Sequence, residues 1–322
     1  MTTDVVQALR DHRALGLVGA LLIAAGLAGC QGDESEDTAR TDPDAPPVIE
    51  VRTVEYAFVA PDSVPSGWVT FRLNNKKAAQ AHQLTLARLP EGREFAEFAK
   101  REMPYRDSIF SLIDRGRIGG VKELISAASK LGHDIDETVL TDQGVVSPGR
   151  VARKTVYLDR PGTYVMSCFV RGPGGLPHLV DGMIRALHVT GDSTGASPPT
   201  PDVELEVDSG QVRAPDTIES GTVTVAARLG EERQDNAVHL VRAGENTDPM
   251  AVKKWRRAWT PDGREVPPPT EFLGGTALLE ARPAGTSAYF TVEDLEPGRY
   301  AWLVSGSIGR PENALWKPVT AE

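Results

Sequence analysis

From residue 48 onward, apolar and polar residues alternate in short runs cut by Gly, Pro and Asp. The runs VIEVRTVEYAFVA, GWVTFRLNN, HQLTLARL, VARKTVYL, GTYVMSCF and MIRALHVT are rich in Val, Thr, Tyr and Phe. Side chains on a strand point alternately to two faces, so period-two runs predict strands with one buried face. Several such strands between turn residues predict an all-β sandwich or Greek-key barrel. The period changes between about 93 and 132. There REFAEFAKREM and GGVKELISAASKLG have helical spacing, with Phe95, Phe98 and Ala99 on one face. This predicts a helical insertion between the strand bearing His82 and the strand bearing Cys168.

The pattern occurs twice. Ala60-Pro61-Asp62-Ser63-Val64-Pro65-Ser66-Gly67 matches Ala214-Pro215-Asp216-Thr217-Ile218-Glu219-Ser220-Gly221 at an offset of 154, and Leu86-Ala87-Arg88 matches Leu240-Val241-Arg242 at the same offset. Further on, Arg160-Pro161-Gly162-Thr163-Tyr164 matches Glu296-Pro297-Gly298-Arg299-Tyr300 at an offset of 136. The repeat is collinear, and the second copy is shorter in its middle, where DPMAVKKWRRAW replaces the longer helical insertion. GDSTGASPPTP, from Gly191 to Pro201, reads as a linker. The expected domains are therefore 48–190 and 202–322, with the linker at 191–201.

Composition changes the picture at the N-terminus. After Arg10, His12 and Arg13 come 16 uncharged, mostly apolar residues, ALGLVGALLIAAGLAG, ending at Cys30. The run is short for a spanning helix and fits a signal-peptide core. Leu27-Ala28-Gly29-Cys30 resembles a bacterial lipoprotein box, which implies cleavage before Cys30 and lipidation of it. Residues 1–29 would then be a signal peptide, and a multi-chain lipid on Cys30 would hold the protein on a membrane of the cell envelope. Gln31 gives no acidic retention signal, so an outer-membrane address is permitted. Residues 30–47 carry six acids, one Arg and three Pro, too little apolar surface to fold, and read as an extended tether. The tether supplies about half of the net charge of −10, and no basic stripe points to nucleic acid.

With Cys30 assigned to processing, Cys168 is the one remaining cysteine and has no partner for an internal disulfide. His178 and Met183 follow it in CFVRGPGGLPHLVDGM, and His82 lies upstream in AHQLTLARL. Each alone reads as packing. His82 points with Leu84 and Leu86, Cys168 with Met166 and Tyr164, and a buried thiol is usually a small hydrophobe. Together they supply a thiolate, two imidazoles and a thioether, the set that a mononuclear blue copper site uses. His133, His188 and His239 read as structural, and Trp255, Trp259, Trp302 and Trp316 as packing.

The order His, then Cys-x9-His-x4-Met, with Pro161-Gly162-Thr163-Tyr164 ahead of the cysteine strand, resembles the cupredoxins, the blue copper family. The resemblance covers about residues 48–190. It implies a Greek-key β-sandwich holding one type 1 copper through His82, Cys168, His178 and Met183, and by the internal repeat a second cupredoxin-like sandwich at 202–322. The nine-residue Cys–His spacing is nearer that of the type 1 loop of copper nitrite reductase. Gln83 stands where the family commonly has Asn, and the helical insertion is a further departure. In the second copy His82 becomes Asn236 and Cys168 becomes Val304, and residues 305–322 contain no His, Cys or Met. That copy is expected to bind no metal and to leave the first copy's site self-sufficient.

There is no HExxH, CxxC or phosphate loop. A thiol protease would place its cysteine at an exposed helix start, and a nitrite reductase would need further histidines between domains. The expectation is a membrane-anchored electron carrier rather than an enzyme. It would exchange electrons with a redox protein at an exposed edge of His178, ringed by Leu176 and Pro177. The alternative is a lipoprotein that holds copper for delivery, or a metal-free binding module.

Overall fold

The structure is a computed structural model that describes residues 44–100, 111, 138–173, 176–208, 210–229, 236–256, 267–278, 287–306 and 313–322. The signal run, Cys30, most of the tether, His133 and the insertion beyond residue 100 (residue 111 excepted) lie outside the described residues. Among the described residues, eight strands fall in the first half: β1 (Val48–Val54), β2 (Ala57–Val59), β3 (Ser63–Asn74), β4 (His82–Arg88), β5 (Thr138–Val146), β6 (Val151–Leu158), β7 (Gly162–Ser167) and β8 (Ile184–Ser193). Nine follow in the second: β9 (Val203–Asp208), β10 (Gln211–Arg213), β11 (Thr217–Ile218), β12 (Gly221–Leu229), β13 (Asn236–Arg242), β14 (Phe272–Leu278), β15 (Ala288–Leu295), β16 (Gly298–Gly306) and β17 (Leu315–Ala321).

The pairing scheme repeats with the sequence. β1 runs parallel to β3 as β9 does to β12. β4 lies between β5 and β7 as β13 lies between β14 and β16. The register repeats too: Thr85 faces Ser167 in the first half, and His239 faces Leu303 in the second. The start of β3 runs parallel to β8, and the separate short strand β11 does the same with β17. Both halves are sandwiches of one Greek-key topology, closed by a parallel strand at each edge.

The halves are not beads on a linker. β6 pairs antiparallel with β15, from Ala152↔Val292 to Thr155↔Tyr289, and β5 meets β14 at Val146↔Leu273. Equivalent strands pair with each other, as across a two-fold axis. Two long sheets result, β2-β1-β3-β6-β15-β12-β9-β10 and β8-β7-β4-β5-β14-β13-β16-β17. Where β5 crosses β14, Gly144 (φ +75°) faces Gly275, and a Cβ on Gly144 would sit 2.8 Å from the Gly275 Cα. Neither strand can come this close with a side chain between them.

Ion pairs clamp the junction. Arg72 reaches both Glu293 carboxylate oxygens, at 2.7 and 2.6 Å, and Arg153 joins it. Arg150 makes the same two-pronged contact with Glu271, at 2.6 and 2.9 Å, and Arg242 joins at 3.0 Å. Burial alone would raise the pKa values of Glu293 and Glu271, but the arginine bonds prevail and hold both below the usual carboxylate range. Lys154, buried on β6, donates to Thr276 of β14. One hydrophobic core runs across the junction: Phe71, Leu84, Met166 and Cys168 share it with Val241, Val252, Trp255 and Phe272 of the second half. A separate core fills the second sandwich around Trp302 and Phe290.

Each half also carries a helix after its His82- or Asn236-bearing strand. Residues 95–100 are helical and bury Phe98 against Leu89 and Val165. The helix Pro249–Arg256 starts at a proline, whose fixed φ suits the first turn, and Asp248 Oδ1 accepts the Met250 N–H at 2.9 Å. It buries Val252 and Trp255. Among the described residues no helix is long and apolar enough to cross a membrane.

Candidate metal centre

Strand pairing brings the sequence candidates together. His82 opens β4 and pairs with Val146 of β5. Cys168 follows β7 directly, and its N–H donates to the Met183 carbonyl at 3.2 Å. The Cys168–His178 loop is itself a narrow hairpin: the His178 N–H donates to Val170 O, Leu179 N–H to Cys168 O and Gly172 N–H to Leu176 O, at 2.8–2.9 Å. The Met183 N–H returns to His178 O at 2.9 Å, and Gly182 (φ +105°) takes the left-handed turn between them. Short-range bonds therefore fix the Cys-x9-His-x4-Met spacing rather than a loose loop.

The donor atoms converge. His82 Nδ1 and His178 Nδ1 are 3.1 Å apart, and Cys168 Sγ lies 3.8 Å from the first and 3.5 Å from the second. Bonds of about 2.0 Å to imidazole and about 2.3 Å to thiolate in a trigonal plane would set such donors about 3.5–3.7 Å apart. All three residues are buried, as is Met183, which shares the core around Cys168. The Gln83 backbone N–H donates to Sγ at 3.4 Å, a bond that favours a thiolate.

Outer contacts set the protonation. His178 Nε2 lies 3.0 Å from Gln80 Oε1, and Gln80 Nε2 donates to Tyr56 Oη at 2.7 Å. The amide oxygen needs a donor, so this network assigns the ring proton to His178 Nε2 and leaves the Nδ1 lone pair facing inward. Burial lowers the His178 pKa to about 4. Burial, with a further contribution from His178, lowers that of His82 to about 3. Both rings are neutral at neutral pH. Two neutral imidazoles, a sulfur and a buried thioether, with one ring proton already committed elsewhere, fit a copper ion of the type 1 kind.

The chain carries one β-sandwich strand plan twice. No family model matches the sequence, and no curated protein matches it. Solved structures of cupredoxins are similar to one half. An auracyanin from the photosynthetic bacterium Roseiflexus castenholzii is 18% identical over 45% of this chain and 98% of its own, with a TM-score of 0.28. Auracyanin A, a "blue" copper protein from Chloroflexus aurantiacus, is 22% identical over 45% of this chain and 99% of its own, again with a TM-score of 0.28. The copper nitrite reductase of Nitrosomonas europaea spans both halves, at 13% identity over 86% of this chain and 93% of its own, with a TM-score of 0.22. The expectation of a chain that is no enzyme is corrected here: structures matched across both halves include this reductase and a multicopper oxidase.

The outer edge of the site also differs from expectation. His178 has no solvent-exposed surface, and Tyr56 stands edge-on to its ring at a centroid distance of 4.9 Å. Pro177 is buried in a bridge with Arg171, and Leu176 is half-buried. The exposed rim expected around His178 is closed because the hairpin folds back on Val170 and because Gln80 covers Nε2.

The remaining histidines divide. His188 is exposed on β8. His239 is buried, receives the Arg256 Nε–H at 3.3 Å and is pushed well below its ordinary pKa by burial and by Arg256, a packed position under the second helix. Sequence reasoning missed Gln80, Tyr56 and Asn75. Asn75 is buried, donates to the Gln80 and Val146 carbonyls at 2.9 Å each and accepts from Thr53 at 2.5 Å. Polar residues two and seven positions before a histidine carry no motif, and Tyr56 joins them only through the β1–β2 hairpin.

Proposed function

We propose that this chain would hold one copper ion through Cys168 thiolate and the Nδ1 atoms of His82 and His178, with the Met183 thioether completing the donor set, and would pass single electrons. The observation that carries this reading is the convergence of two neutral Nδ1 atoms and one sulfur, 3.1–3.8 Å apart, in a buried site. Copper, when bound there, supplies a one-electron couple in which sulfur favours Cu(I) and imidazole accommodates Cu(II). The chain's own residues do the rest. Cys168 gives up its proton on loading, helped by the Gln83 N–H. His178 keeps its inward lone pair because Gln80 holds the opposite N–H. The β4, β7 and β8 framework would hold these donors in place, and burial keeps water off the sulfur.

The reading extends to the cell envelope. A lipid on Cys30 would anchor the chain to a membrane surface, the acidic tether of residues 30–47 would hold the folded body clear of it, and a redox protein would supply or accept the electron. Support comes from the lipoprotein-like box Leu27–Cys30 and the charge of the segment after it.

The deciding experiment adds Cu(II) to the purified full chain and records its visible spectrum. A thiolate-to-copper charge-transfer band at one copper per chain is expected, and it should vanish in Cys168→Ser. A colourless wild type that takes up no copper overturns the reading. For the anchor, Cys30→Ser should leave the precursor unprocessed or release the protein from the membrane fraction; unchanged fractionation and migration would overturn that part alone.

A further inference from the structure

We infer that Gln80 is the positioning residue of the metal centre, held for that task by Tyr56 and Asn75 and walled off by the second half of the chain. The inference rests on the copper reading above and adds a residue to it.

A metal-bound histidine is oriented by whatever accepts the proton on its other nitrogen, and that acceptor sets the basicity of the ligand. The two histidines here differ in this respect. His82 Nε2 is buried and has no hydrogen-bond partner among the described residues. His178 Nε2 has one, the Gln80 amide oxygen at 3.0 Å. Adjustment of the site from its surroundings therefore runs through His178.

Gln80 is fixed at both ends. Its Nε2 donates to Tyr56 Oη at 2.7 Å, so its Oε1 is the end turned to the ring. Its carbonyl accepts from Asn75 Nδ2 at 2.9 Å, and the same Nδ2 donates to Val146 O, whose residue pairs with His82. One buried asparagine thus ties the outer partner of His178 to the strand neighbour of His82. A surface glutamine that met the ring by chance would have no such support.

Gln80 also lines a cavity of about 210 Å³, together with Ala81, Pro148 and Val170 of the first half and Trp255 and Pro267 of the second. Trp255 is buried and packs on Phe272 at a centroid distance of 5.0 Å. The half without metal ligands therefore contributes a wall beside the outer partner of a ligand in the other half. This gives it a part in the copper site that the repeat alone does not reveal.

The test uses the full chain and three variants, Gln80→Glu, Gln80→Leu and Tyr56→Phe. Copper affinity is measured by chelator competition and the Cu(II)/Cu(I) potential by redox titration, with the charge-transfer band as the check that the three ligands remain. Gln80→Leu should keep the band, lose roughly 10–100-fold in Cu(II) affinity and raise the potential. Gln80→Glu, a stronger acceptor of nearly the same shape, should lower the potential. Tyr56→Phe should shift it in the same direction as Gln80→Leu and by less. Shifts of opposite sign from Leu and Glu are what a space-filling role would not give. If Gln80→Leu fails to fold, Tyr56→Phe decides, and an unchanged potential there overturns the inference. So do unchanged affinity and potential, or shifts of one sign, in the Gln80 pair. A wild type without the band sinks the copper reading instead, so the two failures are told apart.

Discussion

The two halves of this chain keep the same structural bonds and differ at the metal ligands. Thr70 bonds Thr155 across β3 and β6, and Thr224 bonds Thr291 across β12 and β15, at 2.8 and 3.0 Å. Tyr164 Oη donates to the Arg160 carbonyl, and Tyr300 Oη to the Glu296 carbonyl. Arg185 pairs with Asp62 as Lys317 pairs with Asp216, with the strands in the same register. Yet His82 has become Asn236 and Cys168 has become Val304, a buried residue. What the fold needs is present twice, and what the copper needs is present once. The ligands are therefore not fillers that the sandwich requires. Partnerships between the halves point the same way: Trp255 and Phe272 belong to the second copy by sequence and to the first copy's core by contact.

The largest effect should come from cutting the comparison apart. Removing residues 202–322 exposes the edges of β5 and β6, strips Glu271 and Glu293 from their arginines and removes Val241, Val252, Trp255 and Phe272 from the core around Cys168. Each large apolar side chain lost from a core costs about 2–5 kcal/mol, and several together exceed the about 5–15 kcal/mol that a whole domain has. The truncated chain should be insoluble or unfolded by circular dichroism and form no copper band. A folded, coloured fragment would mean that the first half is self-sufficient, as its sequence alone had implied.

The next variants write the second half's residues into the first. Cys168→Val and His82→Asn copy Val304 and Asn236. Copper loading of Cys168→Val should leave no thiolate band, while the metal-free variant still folds cooperatively, with its unfolding free energy lowered by about 1–3 kcal/mol, the usual cost of one extra methyl group in a packed core. If Cys168→Val unfolds the apoprotein, the cysteine serves the core rather than the metal.

Acid should act on the site histidines, while buried His239 of the second half adds a sensitivity of its own. His82 and His178, with pKa values of about 3 and about 4 in the folded apoprotein, return to about 6.5 on unfolding. Between these limits the unfolded chain binds more protons, so folded stability is fully present above about pH 6.5 and falls as the solution is acidified toward pH 4. Each histidine adds a slope of up to about 1.4 kcal/mol per pH unit. Denaturant midpoints of the apoprotein across pH 4–7 should show this slope, and His82→Asn, which makes the site like its counterpart, should reduce it. Equal slopes in wild type and variant would place the acid sensitivity elsewhere.

These predictions mark how far the sequence could be read. The strands were legible because period-two alternation depends only on which face of a sheet is wet, and His82, Cys168 and His178 were legible because copper needs those donor types in that order. The union of the halves was not. β6 and β15 look like ordinary strands of separate sandwiches, and nothing in VARKTVYL or AYFTVEDL tells an edge that faces solvent from one that pairs with a distant copy. Arg72 and Glu293, 221 positions apart, read singly as surface charges. The closed edge of His178 escaped for the same reason. Leu176 and Pro177 are apolar in sequence, and whether such residues line a surface or plug one depends on the hairpin bonds between Val170 and His178.

The smallest effect tests whether the shared framework is equally weighted in both halves. Tyr164 and Tyr300 are almost fully buried, and each hydroxyl donates to a carbonyl four residues back, at 2.7 and 2.9 Å, across the Pro-Gly turn that precedes its strand. Burial raises both phenol pKa values, so each hydroxyl stays protonated and able to donate well above neutral pH. Removing it leaves the ring in place and one carbonyl without its donor. Tyr164→Phe and Tyr300→Phe should each lower the unfolding free energy by about 0.5–1.5 kcal/mol. In the copper-loaded protein both variants should keep the full charge-transfer band, because neither tyrosine touches Cys168, His82 or His178. Equal losses with unchanged colour would show the two corners to be one structural device used twice. A loss of colour in Tyr164→Phe alone would show that the first copy's corner has been recruited to hold the cysteine strand for the metal.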